Sequence, residues 1–143
     1  ARYWLARLVE LRVQGHKTLA DEINEDNPAI GFNDRALGIP PLEITSAARI
    51  YEPGGRFWAE YAARAVFNQY RVAGTRLETP SPGFTTHDIR FGADLPRQFS
   101  FHFGIENFGD KLYAEHINSL NPFTRQRIFE PGRNFYAALT KTW

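Results

Sequence analysis

The chain has 143 residues, the size of one domain or part of one, with 17 basic and 16 acidic side chains and a net charge of +1. That balance, with no Lys/Arg run, leaves no electrostatic case for nucleic acid. The absence of Cys excludes a disulfide framework, a thiolate metal site and a Cys nucleophile. No stretch approaches about 18 consecutive apolar residues, which excludes a transmembrane helix but not a transmembrane β-barrel, whose strands need only every second residue apolar.

Taken in chain order, residues 2–13 are open between two readings. Leu5, Leu8, Val9 and Arg12 share a helical face, while Trp4, Ala6 and Leu8 alternate as in a strand. Residues 42–51 put Leu42, Ile44, Ala48 and Ile50 opposite Glu43, Thr45 and Arg49. Residues 56–70 put Phe57, Ala59, Tyr61, Ala63, Ala65 and Phe67 opposite Glu60, Arg64 and Asn68, although the Ala content also permits a helix. Residues 86–95 set Ile89, Phe91, Ala93 and Leu95 against Asp88 and Arg90. Residues 98–107 alternate most clearly, with Phe99, Phe101, Phe103 and Ile105 against Ser100, His102, Gly104 and Glu106. Residues 133–143 set Phe135, Ala137, Leu139 and Trp143 against Asn134, Tyr136, Thr140 and Thr142.

The gaps between these six segments alternate in length. Residues 14–41, 71–85 and 108–132 are long and polar, whereas Glu52-Pro53-Gly54-Gly55 and Pro96-Arg97 are tight turns. Long outer loops alternating with short turns are the rule of an outer-membrane barrel. The predicted fold is therefore all-β, with six antiparallel transmembrane strands.

The stretch from Phe99 to Trp143 carries a family resemblance. Asn107, Phe108, Asp110 and Tyr113 follow one strand, and Pro131-Gly132-Arg133 opens the last, which ends on Trp143. This order resembles the closing strands of TonB-dependent outer-membrane receptors, with Gly109 a departure from the bulky residue common there. Upstream, GIPPLEITSAARIY and RLETPSPGFTTHDIRFGADL also look like these receptors, so the likeness covers residues 38–143.

The resemblance implies the C-terminal portion of a 22-stranded barrel, in the outer membrane of a Gram-negative bacterium. It implies active uptake of a scarce nutrient: a siderophore, metal chelate, haem or corrinoid. On that reading the chain supplies strands seventeen to twenty-two. The plug domain and the other strands lie elsewhere, since an open six-stranded sheet cannot hide its edges in hydrocarbon. No leader is visible before Ala1, so a processed protein or a fragment is expected. Implied partners are the TonB energy-transducing complex, the barrel-assembly machinery, outer-membrane lipid and an extracellular small ligand. Gly132, Phe135, Leu139 and Trp143 would form the closing strand and its assembly signal. Lys141 breaks the apolar phase, at a cost of about 0–1 kcal/mol if it lies near the interface.

The polar face would line the lumen and touch the plug through Arg49, Glu60, Arg64, Arg90, His102 and Glu106, with His102 placed to pair with Glu106. Tyr113, Glu115 and His116 in the last long loop are candidate ligand contacts by resemblance. The bland alternative for His116 is a solvated loop side chain. His87 is expected where a strand starts, near the outer rim. No enzyme is expected: there is no phosphate loop, no Gly-x-Ser-x-Gly elbow and no His-Glu-x-x-His. No cofactor is expected either. Two rival readings stay open, a soluble all-β binding module and a passive porin-like or autotransporter barrel end.

Overall fold

A computed structural model describes residues 2–6, 8–22, 34–74, 77–118, 124 and 126–142. Among these residues are nine strands: β1 Arg2–Ala6, β2 Val9–His16, β3 Asp21–Glu22, β4 Asp34–Arg35, β5 Glu43–Tyr51, β6 Phe57–Val66, β7 Phe84–Leu95, β8 Phe99–Glu106 and β9 Asn134–Lys141. No α-helix occurs among the described residues. β1, β2 and β5 to β9 form one antiparallel sheet in that order, and β3 pairs only with β4. Each strand of the large sheet lies beside the next one in the chain, so the topology is an up-and-down meander, the topology of barrels that close on themselves.

All six predicted segments lie in this sheet. The sheet has seven strands because residues 2–13 fold back between Ala6 and Val9 into two. The helical reading of residues 2–13 and of 56–70 is thereby set aside. In β6 the Ala residues are small partners for bulky neighbours across the ladder, such as Ala59 beside Phe91. β6 stops at Val66 rather than residue 70, since Asn68 turns to accept from the Gly83 N–H and Gln69 pairs with Ser81. The predicted 14–41 loop gives up Gln14, Gly15 and His16 to β2 and holds the small β3–β4 pair.

The tight connections Ala6–Val9, Glu52–Arg56 and Pro96–Gln98 all lie at one end of the sheet. The Tyr51 N–H donates to the Leu8 carbonyl (2.8 Å) and that of Asp94 to Arg56 (2.7 Å), which ties the turns edge to edge. Arg97 and Gln98 both take positive φ (62° and 63°), the left-handed backbone that closes the three-residue loop between the paired Leu95 and Phe99. The three long connections lie at the opposite end, so the extra strand preserves the alternation.

Register sorts the side chains into two unlike faces. One row reads Glu10, Arg49, Glu60, Arg90, Gly104, Tyr136 from β2 to β9. The adjacent row, on the other face, reads Leu11, Ala48, Tyr61, Ile89, Ile105, Phe135. The apolar face is uncovered: Ile50 is 56% exposed, Phe135 60% and Leu139 63%. Among the described residues no second layer of strands packs against it. The buried side chains instead include Glu10, Glu60 and Thr86, on the polar face. A water-soluble sheet has the reverse arrangement.

Two glycines let aromatic rings lie flat on the polar face. Gly92 sits opposite Trp58 and Gly104 opposite Tyr136, and a Cβ at either position would run into the ring beside it.

Candidate functional site

The polar face is organised around Glu60. Its carboxylate accepts from Arg49 (Nε, 2.8 Å), from Arg90 (Nη1, 3.0 Å) and from Arg12, which reaches over β5 from β2. Ala47 and Ala62 lie between these strands in the next row and leave room for the long side chains to cross. Glu60 is 3% exposed, and burying a carboxylate is tolerable only with such partners. The network extends outwards. Arg90 also reaches Asp88 (2.8 Å), Tyr51 donates to Glu10 (3.0 Å), and the Arg49 guanidinium lies 3.9 Å over the Trp58 ring. Three carboxylates, Glu10, Glu60 and Asp88, thus face three guanidiniums, Arg12, Arg49 and Arg90.

Of the six polar-face positions singled out in the sequence, the structure joins Arg49, Glu60 and Arg90 directly. Arg64 is on the same face one cluster further toward the loops, bonded to Glu43 and Glu115 (2.6 Å each). His102 shares the face but does not meet Glu106. It lies against Trp58, with ring centroids 5.8 Å apart, while Glu106 accepts from Asn134 across the β8–β9 ladder (3.4 Å). The expected pair fails because residues four apart on one strand stand two rows apart. Glu10 and Arg12 were missed as members of the network, since the 2–13 segment has no clear phase without its turn.

Tyr113 and Glu115 share one neighbourhood, around Arg64 and Phe84, while His116 belongs to another, with Ser81 and Glu78. Tyr113 packs on Phe84 (4.3 Å between ring centroids), and burial, with Glu115 and Glu130 nearby, raises its hydroxyl pKa. Glu115 is the partner of Arg64. His116 is buried, not solvated, with Nδ1 2.9 Å from the Ser81 hydroxyl and Nε2 3.1 Å from Glu78 Oε1. Glu78 also accepts from the backbone N–H groups of Gly38 (2.9 Å) and Ala73 (2.6 Å). Burial pushes the Glu78 carboxyl up, but these donors and His116 outweigh it and hold it below the usual carboxylate value. One carboxylate therefore ties together three loops. The Ser81–His116–Glu78 order has the elements of a nucleophile relay, yet Ser81 is 4% exposed, so the hydroxyl offers a substrate no approach.

His87 lies inside β7 on the apolar face, where its Nδ1 meets the Tyr61 hydroxyl at 2.7 Å and its ring stacks on Tyr61, with Phe108 alongside. Each polar group answers the other. Among the described residues no cluster of three or more His, Asp or Glu could hold a metal ion.

The resemblance motif around the last loop has a mechanical basis. Asn107 takes a positive φ (47°), its side chain bonds both backbone groups of Lys111, and its N–H donates to Asp88. Asp110 then accepts from the Arg133 N–H (2.9 Å), and its carboxylate occupies the space that a Cβ on Gly132 would take. The turn after β8 thus fixes the entry to β9. Phe135 and Leu139 point to the apolar face, opposite Ile105 and Phe101. Lys141, the phase exception, lies 5.6 Å from the Phe99 ring of its cross-strand partner. Trp143 lies outside the described residues.

No protein-family profile matches the chain. No curated protein sequence matches it either. Among solved structures, one described as "Copper transporter OprC" superposes with a TM-score of 0.82 at 23% identity. The match covers 96% of this chain and 21% of that one, so the chain spans about a fifth of the length of the structure it resembles. The likeness shows the fold: the all-β antiparallel sheet of this chain is that of a barrel fragment.

Proposed function

We propose that the chain is the closing part of the wall of an outer-membrane importer of the TonB-dependent type. The observation that carries this reading is the inverted sheet: a contiguous, uncovered apolar face backed by a charged face whose central carboxylate, Glu60, is buried among three guanidiniums. The apolar face would meet lipid, and the Glu60 network would line the lumen, where side chains from a plug can reach it. The outward aromatics Phe57, which opens β6, and Phe67, one residue past its end, are ten residues apart, about 33 Å along the chain at ~3.3 Å per residue. At a tilt of about 40° this spans about 25 Å along the membrane normal, the height of the apolar band of an outer-membrane barrel.

In this proposal the short turns face the periplasm and the loops tied by Glu78 face outside. The neighbours of β1 and β9 are strands outside this chain, which removes both open edges. Energy comes from the TonB complex through the plug, and β9 engages the assembly machinery. The cargo is a small, scarce nutrient such as a siderophore, metal chelate, haem or corrinoid. The structural neighbour, described as a copper transporter, adds copper to the candidates. This segment contains no Cys or Met, so any soft copper ligands come from elsewhere in the barrel or plug. Tyr113, Glu115 and His116 would then shape the ligand entrance by holding the loops rather than by touching cargo.

The test is solubility of the intact barrel. It should require detergent to stay folded and monodisperse; a folded monomer in detergent-free buffer returns the soluble binding module. A full-length sequence without a plug domain would favour the passive porin reading instead.

A further inference from the structure

The last long connection folds over the polar face. Its two described legs, residues 107–118 and 126–133, continue from β8 and lead into β9, yet they reach β6, two strands or about 10 Å across the wall. Tyr113 packs on Phe84 of β7. Glu115 takes Arg64 of β6 in a fork, Oε1 from Nη1 at 2.6 Å and Oε2 from Nη2 at 3.3 Å. By register Arg64, Thr86 and Phe84 belong to the face of Glu60. Thr86 and Phe84 are buried there, although among the described residues no strand lies over them.

The legs are bound to each other and to the neighbouring loop. The Glu130 N–H donates to the Tyr113 carbonyl (2.9 Å), and Asn118 Nδ2 donates to the Ile128 carbonyl and to Glu130 (2.9 Å each). Arg127 donates to the Pro80 carbonyl (2.9 Å), one residue before Ser81, which holds the buried His116. Lifting the legs off the face would strip Arg64 of a forked carboxylate, the strong form of an ion pair, and uncover Phe84, Thr86 and His116 together. A segment that opens readily has few buried contacts and solvent-exposed bonds, and these legs have the reverse.

We propose that Glu115, acting through Arg64, is the positioning residue that pins these legs across the polar face as a fixed strap. The strap narrows the outer mouth of the lumen and does not swing aside when cargo enters. Any closure over cargo then belongs to other loops of the barrel. Arg64 has a second carboxylate, Glu43, at 2.6 Å, but Glu43 lies on β5 in the same wall, so that bond holds no loop. The bond to Glu115 is the one that joins the strap to β6.

The strap's place at a lumen mouth rests on the membrane reading above; its pinning does not, and the two are tested apart. In an intact barrel freed of any cysteines elsewhere and purified in detergent, T86C is placed under the strap and L112C on its exposed side. The rate of each thiol with N-ethylmaleimide is divided by its rate in urea. A lid that samples an open state populates it at roughly 0.1–10%, which would slow T86C by roughly ten- to a thousandfold relative to L112C. Under a fixed strap the slowing should exceed about a thousandfold. E115A should raise the T86C rate roughly tenfold, the worth of one charge-assisted hydrogen bond between partly exposed partners. E43A should leave it unchanged. E115Q supplies the same comparison if E115A does not fold. A T86C rate within the lid range, or one that a folded Glu115 variant fails to raise, overturns the strap; an equal rise with E43A overturns the assignment to Glu115. On intact cells an impermeant maleimide should label L112C. Labelling only after the cells are broken would overturn the outer placement and leave the protection of T86C to stand on its own.

Discussion

Replacing Glu60 by Gln in the intact barrel should destabilise it by about 3 kcal/mol. The substitution keeps the shape and one acceptor but removes the charge that three guanidiniums share. Removing one partner of a buried ion pair costs about 3–5 kcal/mol, because the other charge is left uncompensated. The side chains of Arg12, Arg49 and Arg90 are 37%, 23% and 33% exposed, so water relieves part of that penalty and the lower end applies. Gln also turns an N–H toward a guanidinium, which has no acceptor. Urea unfolding of the vesicle-inserted barrel, followed by Trp fluorescence, reads the effect, and Trp58 under Arg49 reports on the cluster itself. E106Q is the control, since Glu106 is exposed and holds a single 3.4 Å contact with Asn134; it should stay within about 0.5 kcal/mol. An E60Q variant within that same margin would refute the claim that Glu60 organises the wall.

Three further outcomes follow from the geometry. Gly92→Ala puts a Cβ into the Trp58 ring and should cost about 1–3 kcal/mol in the same unfolding assay. Asp110→Ala frees the Arg133 N–H and the turn before β9; it should cost about 1 kcal/mol and slow assembly, read as the rate at which the heat-modifiable folded band appears on gels. Glu78 has a folded pKa below its ordinary value of 4.5, so its stabilisation of the loops is fully present above that value and is lost as the pH falls through the lower, folded one. Limited proteolysis with an acid-active protease should therefore show the loops opening only on the acid side of pH 4.5, and E78Q should be cut faster at neutral pH as well.

What the sequence disclosed tracks the range of the interactions involved. Alternation within β8 is a local property, so Phe99, Phe101 and Phe103 sort correctly without knowledge of their partners. The split of residues 2–13 was hidden because no Gly, Pro or Asn marks the turn between Ala6 and Val9; tertiary pairing with β5 makes it. Residues Glu10 and Arg12 then appeared on the wrong footing, since a phase cannot be read across a concealed turn. His116 looked like a solvated loop residue because its partners Ser81 and Glu78 are more than thirty residues away. The same distance hides why Asp110 and Gly132 belong together: one carboxylate fills the space beside the other residue's missing side chain. Motif order pointed to the pair, and geometry supplies the reason.

The central claim is that one face of this sheet meets lipid and the other does not. This segment has no Cys, so in an intact barrel freed of any cysteines elsewhere, single cysteines can be placed at each residue from Phe57 to Phe67 and labelled with an environment-sensitive fluorophore. Brominated lipid should quench the labels at 57, 59, 61, 63, 65 and 67 and spare those at 58, 60, 62, 64 and 66, following the β6 register. Uniform quenching, or labels equally water-exposed on both faces, would contradict the account.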